Sequence, residues 1–239
     1  MSGTVHGVGL GPGAADLMSV RADRLVRAAR HVAYFRKGGR KGQARRIVEG
    51  MLRADVVEFP MEYPVTTEIP LDDPRYAAVL ASFYAECATH LRGLAEAGDD
   101  VVVLCEGDPF FYGSFMHLYT RLKDAVSVQV VPAITGMSAA WTATGAPITW
   151  GDDVLTVTPA TLSEEELTRR IVETDALVVM KIGQNLPKLK RAIEASGRMT
   201  AAWLVEYAAM PEQRVLALAE VEMAPYFSIV VIHGQGRRP

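Results

Sequence analysis

Short runs of apolar residues alternate along this chain with longer segments in which apolar positions recur every three or four residues. The short runs predict buried strands, and the longer segments predict amphipathic helices. In the first half we predict strands at Val5–Leu10, His31–Phe35, Val56–Phe59, Val101–Cys105 and Val126–Val131. Helices are predicted between them near residues 19–29, 43–52, 74–97 and 113–123. This alternation is typical of a parallel α/β sheet.

The second half begins the same alternation again and changes character toward its end. Predicted strands lie at Val154–Thr158, Ala176–Ile182, Ala201–Val205, Arg214–Leu218 and Phe227–Ile232. The helix over Glu164–Glu173 starts with a predicted capping box of Ser163 and Glu166, and the next helix has Pro187 in its first turn. The last three strands lack helices long enough for crossovers, which predicts antiparallel pairing. We therefore predict an α/β protein of two α/β domains, the second with a mixed sheet: residues 1–132 and 133–239.

Four prolines mark the connection between the third strand and the long helix: Pro60, Pro64, Pro70 and Pro74. We predict that this connection crosses the surface, where it is placed to act as a lid. Its Glu62, Tyr63 and Glu68 are candidates for proton transfer, although solvated loop residues are the commoner identity of such positions.

The strand Val101–Cys105 runs directly into a tight polar turn, Glu106-Gly107-Asp108-Pro109. Such a turn lies at the carboxyl end of its strand, which is the edge where open α/β sheets bind ligands. Asp108 offers a short acceptor, and the aromatic residues that follow are Phe110, Phe111 and Tyr112. The turn is therefore a candidate site for a polar cationic ligand. The alternative is a plain connection from strand to helix.

Glycines crowd the end of the first strand: Gly7, Gly9, Gly11 and Gly13. They do not form the G-x-G-x-x-G fingerprint of dinucleotide-binding folds, because Pro12, Ala14 and Asp16 stand where a further glycine is required. The chain also lacks a Walker lysine motif. What the segment offers is a permissive turn, with Pro12 at its centre, that can pass close to a ligand.

Composition narrows the class of protein. The chain has 239 residues, of which 49% are hydrophobic and 22% charged. No run approaches the roughly 20 apolar residues that cross a bilayer, and the first residues lack the charged and apolar regions of a signal peptide. We expect a soluble, cytoplasmic protein with no membrane partner. The two cysteines, Cys87 and Cys105, and five scattered histidines lack metal-ligand spacing, so we predict no metal held by the protein.

Six cations fall close together without an acid among them: Arg36, Lys37, Arg40, Lys41, Arg45 and Arg46. The cluster can bind phosphates of a nucleic acid or several carboxylates of one small molecule. A solvated charged loop is the alternative. The net charge of −3 and the lack of interleaved aromatic residues argue against nucleic acid as the partner.

Three motifs taken together resemble the tetrapyrrole methyltransferase family. They are Gly9-Leu10-Gly11-Pro12-Gly13, the turn Gly107-Asp108-Pro109-x-x-Tyr112, and Pro132-x-Ile134-Thr135. The resemblance extends from Val5 to about Ile232, and the motifs occur in the family's order and spacing. Within the family, the residues Leu104–Ser114, Phe59–Met61 and Val178–Lys181 most resemble the branch that methylates C-20 in cobalamin biosynthesis.

The resemblance implies a homodimer in which S-adenosyl-L-methionine lies in a cleft between the two α/β domains of each chain. It also implies which positions approach the cofactor: Pro12, Glu106, Gly107, Asp108, Phe111, Tyr112, Thr135, Gly136, Met180 and Ala208. The methyl acceptor would be a reduced tetrapyrrole, a small-molecule polycarboxylate. This gives the basic cluster (Arg36, Lys37, Arg40, Lys41, Arg45, Arg46) a substrate-binding role.

The chemistry implied is attack of an electron-rich ring carbon on the sulfonium methyl, with eventual loss of a proton from the product. The catalytic base is unknown, because related uroporphyrinogen methylases carry an Asp at the end of the second strand, where this chain has Phe35. Whether the natural substrate contains cobalt stays open. Two other classes of function stay open. One is a same-fold methyltransferase acting at another ring position, on RNA or on a protein, and the other is a non-enzymatic nucleotide-binding module or an oxidoreductase on a Rossmann-like sheet.

Overall fold

The computed structural model describes residues 2–65 and 73–236. The chain divides into two compact units, Met1–Thr135 and Gly136–Pro239. Glu68 and Pro70 of the predicted lid lie outside the described residues. No helix in the described part of the chain is long and apolar enough to span a membrane.

The first unit holds a parallel sheet covered by helices on both faces. Its strands are β1 (Thr4–Gly9), β2 (His31–Lys37), β3 (Val57–Tyr63), β4 (Val101–Cys105) and β5 (Ser127–Val131). Its helices are α1 (Val20–Ala28), α2 (Gln43–Ile47), α3 (Pro74–Glu96) and α4 (Phe115–Leu122). The strand order is β3-β2-β4-β1-β5, and every described pairing is parallel.

Burial on both faces explains the apolar run of β4. Val101 to Cys105 are all buried, because β4 lies at the centre of the sheet with α3 and α4 on one face and α1 and α2 on the other. Leu91 and Phe115 pack on the first face, and Val26 and Ile47 pack on the second. Because β1 and β4 pair in parallel, with Gly9 opposite Cys105, their carboxyl ends lie next to each other.

The second unit is built on a mixed sheet, as the sequence predicts. Its strands are β6 (Leu155–Pro159), β7 (Ala176–Met180), β8 (Ala202–Glu206), β9 (Arg214–Ala217) and β10 (Ser228–Ile232). Its helices are α5 (Gly136–Ala143), α6 (Glu164–Val172) and α7 (Leu186–Ala195). The order is β6-β7-β10-β8-β9, with β6 and β7 parallel and the other pairs antiparallel.

Three local predictions are wrong or only partly right. Pro60 is not in a surface connection but inside β3, which continues to Tyr63; β3 is an edge strand, where a missing N–H is tolerated. Helix α2 ends at Ile47 instead of continuing to residue 52, because the chain turns through Gly50 at φ +76°. At the start of α6 the Ser163 hydroxyl accepts from the Glu166 N–H, but the Glu166 carboxylate binds arginines on the next turn of the helix.

Candidate functional site

Two turns meet at the carboxyl edge of the first sheet. The Gly107 N–H donates to the Gly11 carbonyl at 2.8 Å, and the Leu10 N–H donates to the Cys105 carbonyl at 2.9 Å. Gly11 and Gly107 adopt φ of +82° and +62°, a region that favours glycine. The structure therefore joins the glycine-rich segment after β1 to the turn after β4, which the sequence singled out separately.

Gly9 shows how closely these turns pack. A Cβ at Gly9 would lie 2.6 Å from the Ala133 Cβ, 2.8 Å from the Gly107 carbonyl oxygen and 2.9 Å from Pro109 Cδ. These separations are shorter than van der Waals contact, so only glycine fits between the turns. The backbones of the two turns consequently pack directly against each other at this edge.

Asp108 organises the turn through both oxygens of its carboxylate. Oδ1 accepts from the Phe110 N–H at 2.8 Å, and Oδ2 accepts from the Ala133 N–H at 3.0 Å. The first bond is local, whereas the second ties the turn to the segment that follows β5. In this structure the carboxylate positions backbone, so any contact that it makes with a cationic ligand is added to these two bonds.

Glu106 precedes this turn and connects it to the basic segment. Its Oε1 accepts from the Ala44 N–H at 3.0 Å, at the start of α2. The residue is exposed to solvent. Desolvation by nearby protein atoms nevertheless raises the pKa of Glu106 to about 7, an effect that the Ala44 N–H partly offsets.

Strained backbone marks further predicted contact positions. Among the described residues, positive φ occurs at four that are not glycine: Tyr112, Lys181, Tyr207 and Ala209. Tyr112 is itself a predicted cofactor contact, Lys181 follows Met180, and the last two flank Ala208. Because such conformations cost about 1–3 kcal/mol each and cluster at functional sites, their coincidence with these positions points to function.

The remaining predicted contacts fall in ordinary surroundings. Thr135 closes the first unit and is half-buried, and Gly136 begins α5. A Cβ at Gly136 would lie 3.4 Å from Ile229 Cδ1. Pro12 is buried in the glycine-rich turn, and Phe111 is half-buried beside Tyr112, with ring centroids 4.8 Å apart.

The basic cluster is partly neutralised by acids that the sequence analysis did not pair with it. Arg36 binds Glu62, Lys41 binds Glu49, and Arg45 binds Glu58. The Arg45 pair is bidentate at 2.8 and 2.9 Å, and this hydrogen bonding lowers the pKa of Glu58.

The other members of the cluster are Lys37, Arg40 and Arg46, and all three are exposed. Within residues 2–65 and 73–236, no ion pair is formed by Arg40 or Arg46. These two guanidinium groups are therefore the members of the cluster best placed to meet carboxylates of a ligand.

An aromatic group surrounds Phe35 at the end of β2. Its ring stacks on Tyr63 with centroids 5.4 Å apart and meets the edges of Phe83 and Tyr84. The hydroxyls of Tyr63 and Tyr84 both hydrogen-bond to the Ser114 Oγ. The sequence analysis named Phe35 and Tyr63 separately but did not connect them, because the residues of this network are far apart along the chain.

No group of three or more His, Cys, Asp or Glu that could hold a metal occurs in the described ranges. Cys87 and Cys105 are buried free thiols, and burial raises the pKa of Cys87 to about 11 and that of Cys105 further. Both cysteines pack in the core of the first unit.

Comparison with known proteins identifies a family whose model matches this chain, and proteins of similar sequence. The model of the family described as Tetrapyrrole (Corrin/Porphyrin) Methylases matches residues 4–222. A precorrin-2 C(20)-methyltransferase from Sinorhizobium sp. is 48% identical over 239 residues, which cover 99% of this chain and 98% of the relative. The cobalamin biosynthesis protein CobIJ of Mycobacterium tuberculosis is 42% identical over 238 residues, 99% of this chain, but the match spans only 47% of that longer protein.

Solved structures share the fold at low sequence identity. The cobalt precorrin-4 methyltransferase CbiF superposes with a TM-score of 0.73 at 19% identity, covering 96% of this chain and 94% of that one. A uroporphyrin-III C-methyl transferase from Thermus thermophilus, complexed with S-adenyl homocysteine, gives a TM-score of 0.67 at 22% identity, with coverage of 97% and 92%.

Proposed function

This chain belongs to the tetrapyrrole (corrin/porphyrin) methylase family, and from that premise we propose that it methylates precorrin-2 at C-20 to give precorrin-3A in cobalamin biosynthesis. The observation that carries the proposal is the 48% identity to a precorrin-2 C(20)-methyltransferase over nearly the full length of both chains. The methyl donor in this proposal is S-adenosylmethionine. The proposal keeps the two-domain division at residues 1–132 and 133–239, a homodimer and a cytoplasmic location.

The joined turns after β1 and β4 suit the cofactor. Glycine at positions 9, 11 and 107 keeps side chains away from the junction of the turns, and a Cβ at Gly9 would fill the space between them. A ligand at this edge can therefore approach the main chain of the half-buried Gly107 without obstruction by a side chain of that residue. We assign the predicted contacts of the sequence analysis to this cofactor, and the S-adenyl homocysteine held by the Thermus thermophilus neighbour supports the choice.

When bound, the cofactor supplies an activated sulfonium methyl. The protein then has to hold the acceptor carbon in line with that methyl group, an effect worth up to about 7–11 kcal/mol in favourable models. Rigid elements perform this alignment: Asp108 fixes the turn after β4 through the Phe110 and Ala133 N–H groups. No covalent intermediate with the protein is required.

The exposed cations Arg40 and Arg46 are proposed to hold the carboxylates of the tetrapyrrole. A planar guanidinium matches a carboxylate in a bidentate geometry. Arg36, Lys41 and Arg45 shape the same segment but already bind acids of the protein. Arg40 and Arg46 are therefore the preferred targets for mutagenesis.

The test is anaerobic incubation of the purified protein with S-adenosylmethionine and either metal-free precorrin-2 or its cobalt-containing counterpart. We expect mass spectrometry to find one added methyl group on the metal-free substrate. Transfer to the cobalt form alone would correct the substrate. Failure with both, despite cofactor binding measured by calorimetry, would contradict the proposal and favour another ring position, an RNA or a protein as acceptor.

A further inference from the structure

Glu106 lies at the junction of two segments, one proposed to bind the cofactor and the other proposed to bind the substrate. It lies between β4 and the Gly107-Asp108 turn, which is proposed to contact the cofactor. Its Oε1 accepts a hydrogen bond from Ala44, in the segment that carries the cations proposed to bind the substrate. One carboxylate thus stands where the two proposed binding regions meet within the first unit.

This carboxylate differs from the other acids of the neighbourhood because no cation neutralises it. Glu49, Glu58 and Glu62 each bind a lysine or an arginine of the basic segment. Within the described ranges no such ion pair involves Glu106, whose hydrogen bond from Ala44 occupies only one of its two oxygens. The carboxylate of this exposed residue, with no cation paired to it, can accept a proton.

We propose that Glu106 is the general base that takes the proton lost from C-20 of the substrate after methyl transfer. The inference rests on the proposed function. The C-20 carbon forms a bond to the methyl group while the bond from methyl to sulfur breaks, and the sulfur keeps that electron pair. The C-20–H bond then breaks, its electrons return to the ring, and the proton passes to a Glu106 oxygen, leaving a neutral carboxylic acid.

Its surroundings match this task. The titratable neighbours of Glu106 along its own segment are Cys105 and Asp108, and Arg45 and Arg46 follow its hydrogen-bond partner Ala44 on α2. Arg45 is already paired with Glu58. Desolvation dominates the perturbation of Glu106, with a smaller opposing effect from the Ala44 N–H. A base with a pKa of about 7 is well matched to neutral pH, because it is ionised in a useful fraction and still holds a proton firmly.

The decisive variant is Glu106→Gln. The Gln amide oxygen can still accept from the Ala44 N–H, but an amide cannot take up the proton. We expect kcat to fall by about 10²–10⁴-fold. Because Glu106 is also assigned as a cofactor contact, the affinity for S-adenosylmethionine, measured by calorimetry, should fall far less than kcat. The wild type should lose kcat below about pH 7 as the carboxylate is protonated, and this limb should vanish in the variant. Glu86→Gln, an exposed glutamate on α3, is the matched control and should behave as the wild type.

A second variant separates proton transfer from positioning. Glu106→Ala opens space at the same place, and added formate should restore part of its kcat if a missing carboxylate is the defect. A Glu106→Gln enzyme with wild-type kcat and pH profile, or an Ala enzyme insensitive to formate, would overturn the assignment while the wild type still methylates precorrin-2. A wild type that does not methylate precorrin-2 would instead overturn the proposed function, and the role of Glu106 with it.

Discussion

Arg45 and Arg46 are adjacent on α2 and yet have different electrostatic surroundings. Arg45 is 18% exposed and forms a bidentate pair with Glu58, whereas Arg46 is exposed and forms no ion pair with any described residue. The proposed recognition of a polycarboxylate therefore assigns binding to Arg46 and a structural role to Arg45.

We predict that Arg46→Glu raises KM for the tetrapyrrole roughly tenfold or more, since a charge-assisted hydrogen bond contributes about 1.5–3 kcal/mol, and leaves the unfolding free energy nearly unchanged. Arg45→Gln should instead lower the unfolding free energy by about 1–3 kcal/mol, because Glu58 loses its partner. Steady-state kinetics and urea unfolding measure the two effects. An unchanged KM in Arg46→Glu and in Arg40→Glu would contradict the binding role.

Glu106 also makes a prediction about stability. Its pKa is raised in the folded protein, so between the unfolded value near 4.3 and about 7 the folded state binds more protons than the unfolded state. The protonated Glu106 side chain therefore contributes stability at low pH, and this contribution is lost as pH rises through about 7. We expect Glu106→Gln to raise Tm relative to the wild type at pH 8, with the difference shrinking toward pH 5. A variant less stable than the wild type at pH 8 would contradict this sign.

The acids that pair with the basic cluster are examples of contacts that cannot be predicted from the sequence. Glu58 lies 13 residues from Arg45, and Glu62 lies 26 residues from Arg36. Arg36 and Glu62 meet because they are register partners on the parallel strands β2 and β3. Charge counting within one segment cannot reveal such a pair, whereas the Gly-Asp-Pro turn could be recognised because its residues are consecutive.

At the level of elements, the end of β1 depends on the absence of a side chain. A Cβ at Gly9 would clash with Gly107 and Pro109 of the turn after β4 and with Ala133 after β5, whereas an added Cβ at Gly93 inside α3 has no atom within 4 Å. The same substitution should therefore have opposite effects at the two positions.

We predict that Gly9→Ala lowers both the unfolding free energy and the affinity for S-adenosylmethionine, because the new methyl group pushes the two turns apart. Gly93→Ala should stabilise the protein by about 0.5–1 kcal/mol, since alanine favours a helix interior over glycine. Thermal unfolding and calorimetric titration provide the readouts. Normal cofactor binding by Gly9→Ala would show that the tight meeting of the turns is not part of the site.

Most elements were predictable because their signals are local. The apolar run of β4 and the Ser163 hydroxyl that caps α6 act over a few residues. Pro60 was misread because a proline is compatible with a strand only at a sheet edge, and being at the edge is a property of the whole sheet. The early end of α2 likewise depends on Gly50, whose positive φ is not evident from helical periodicity.

At the level of the whole chain, the two sheets follow from the connections between strands. Helical crossovers produce the parallel first sheet, and their absence near the carboxyl terminus produces the antiparallel strands β8, β9 and β10. The adjacency of β1 and β4 was not predictable from chain order, since almost a hundred residues separate them in sequence. The candidate site depends on that adjacency, which joins the glycine-rich turn to the Gly-Asp-Pro turn.

Methylation at C-20 can be tested directly with S-adenosylmethionine labelled with ¹³C in its methyl group. The purified chain is incubated anaerobically with metal-free precorrin-2, and nuclear magnetic resonance locates the label in the product. We expect a single labelled methyl group attached to C-20. A label at any other carbon, or an unlabelled tetrapyrrole recovered from an enzyme that binds the cofactor, would contradict this expectation.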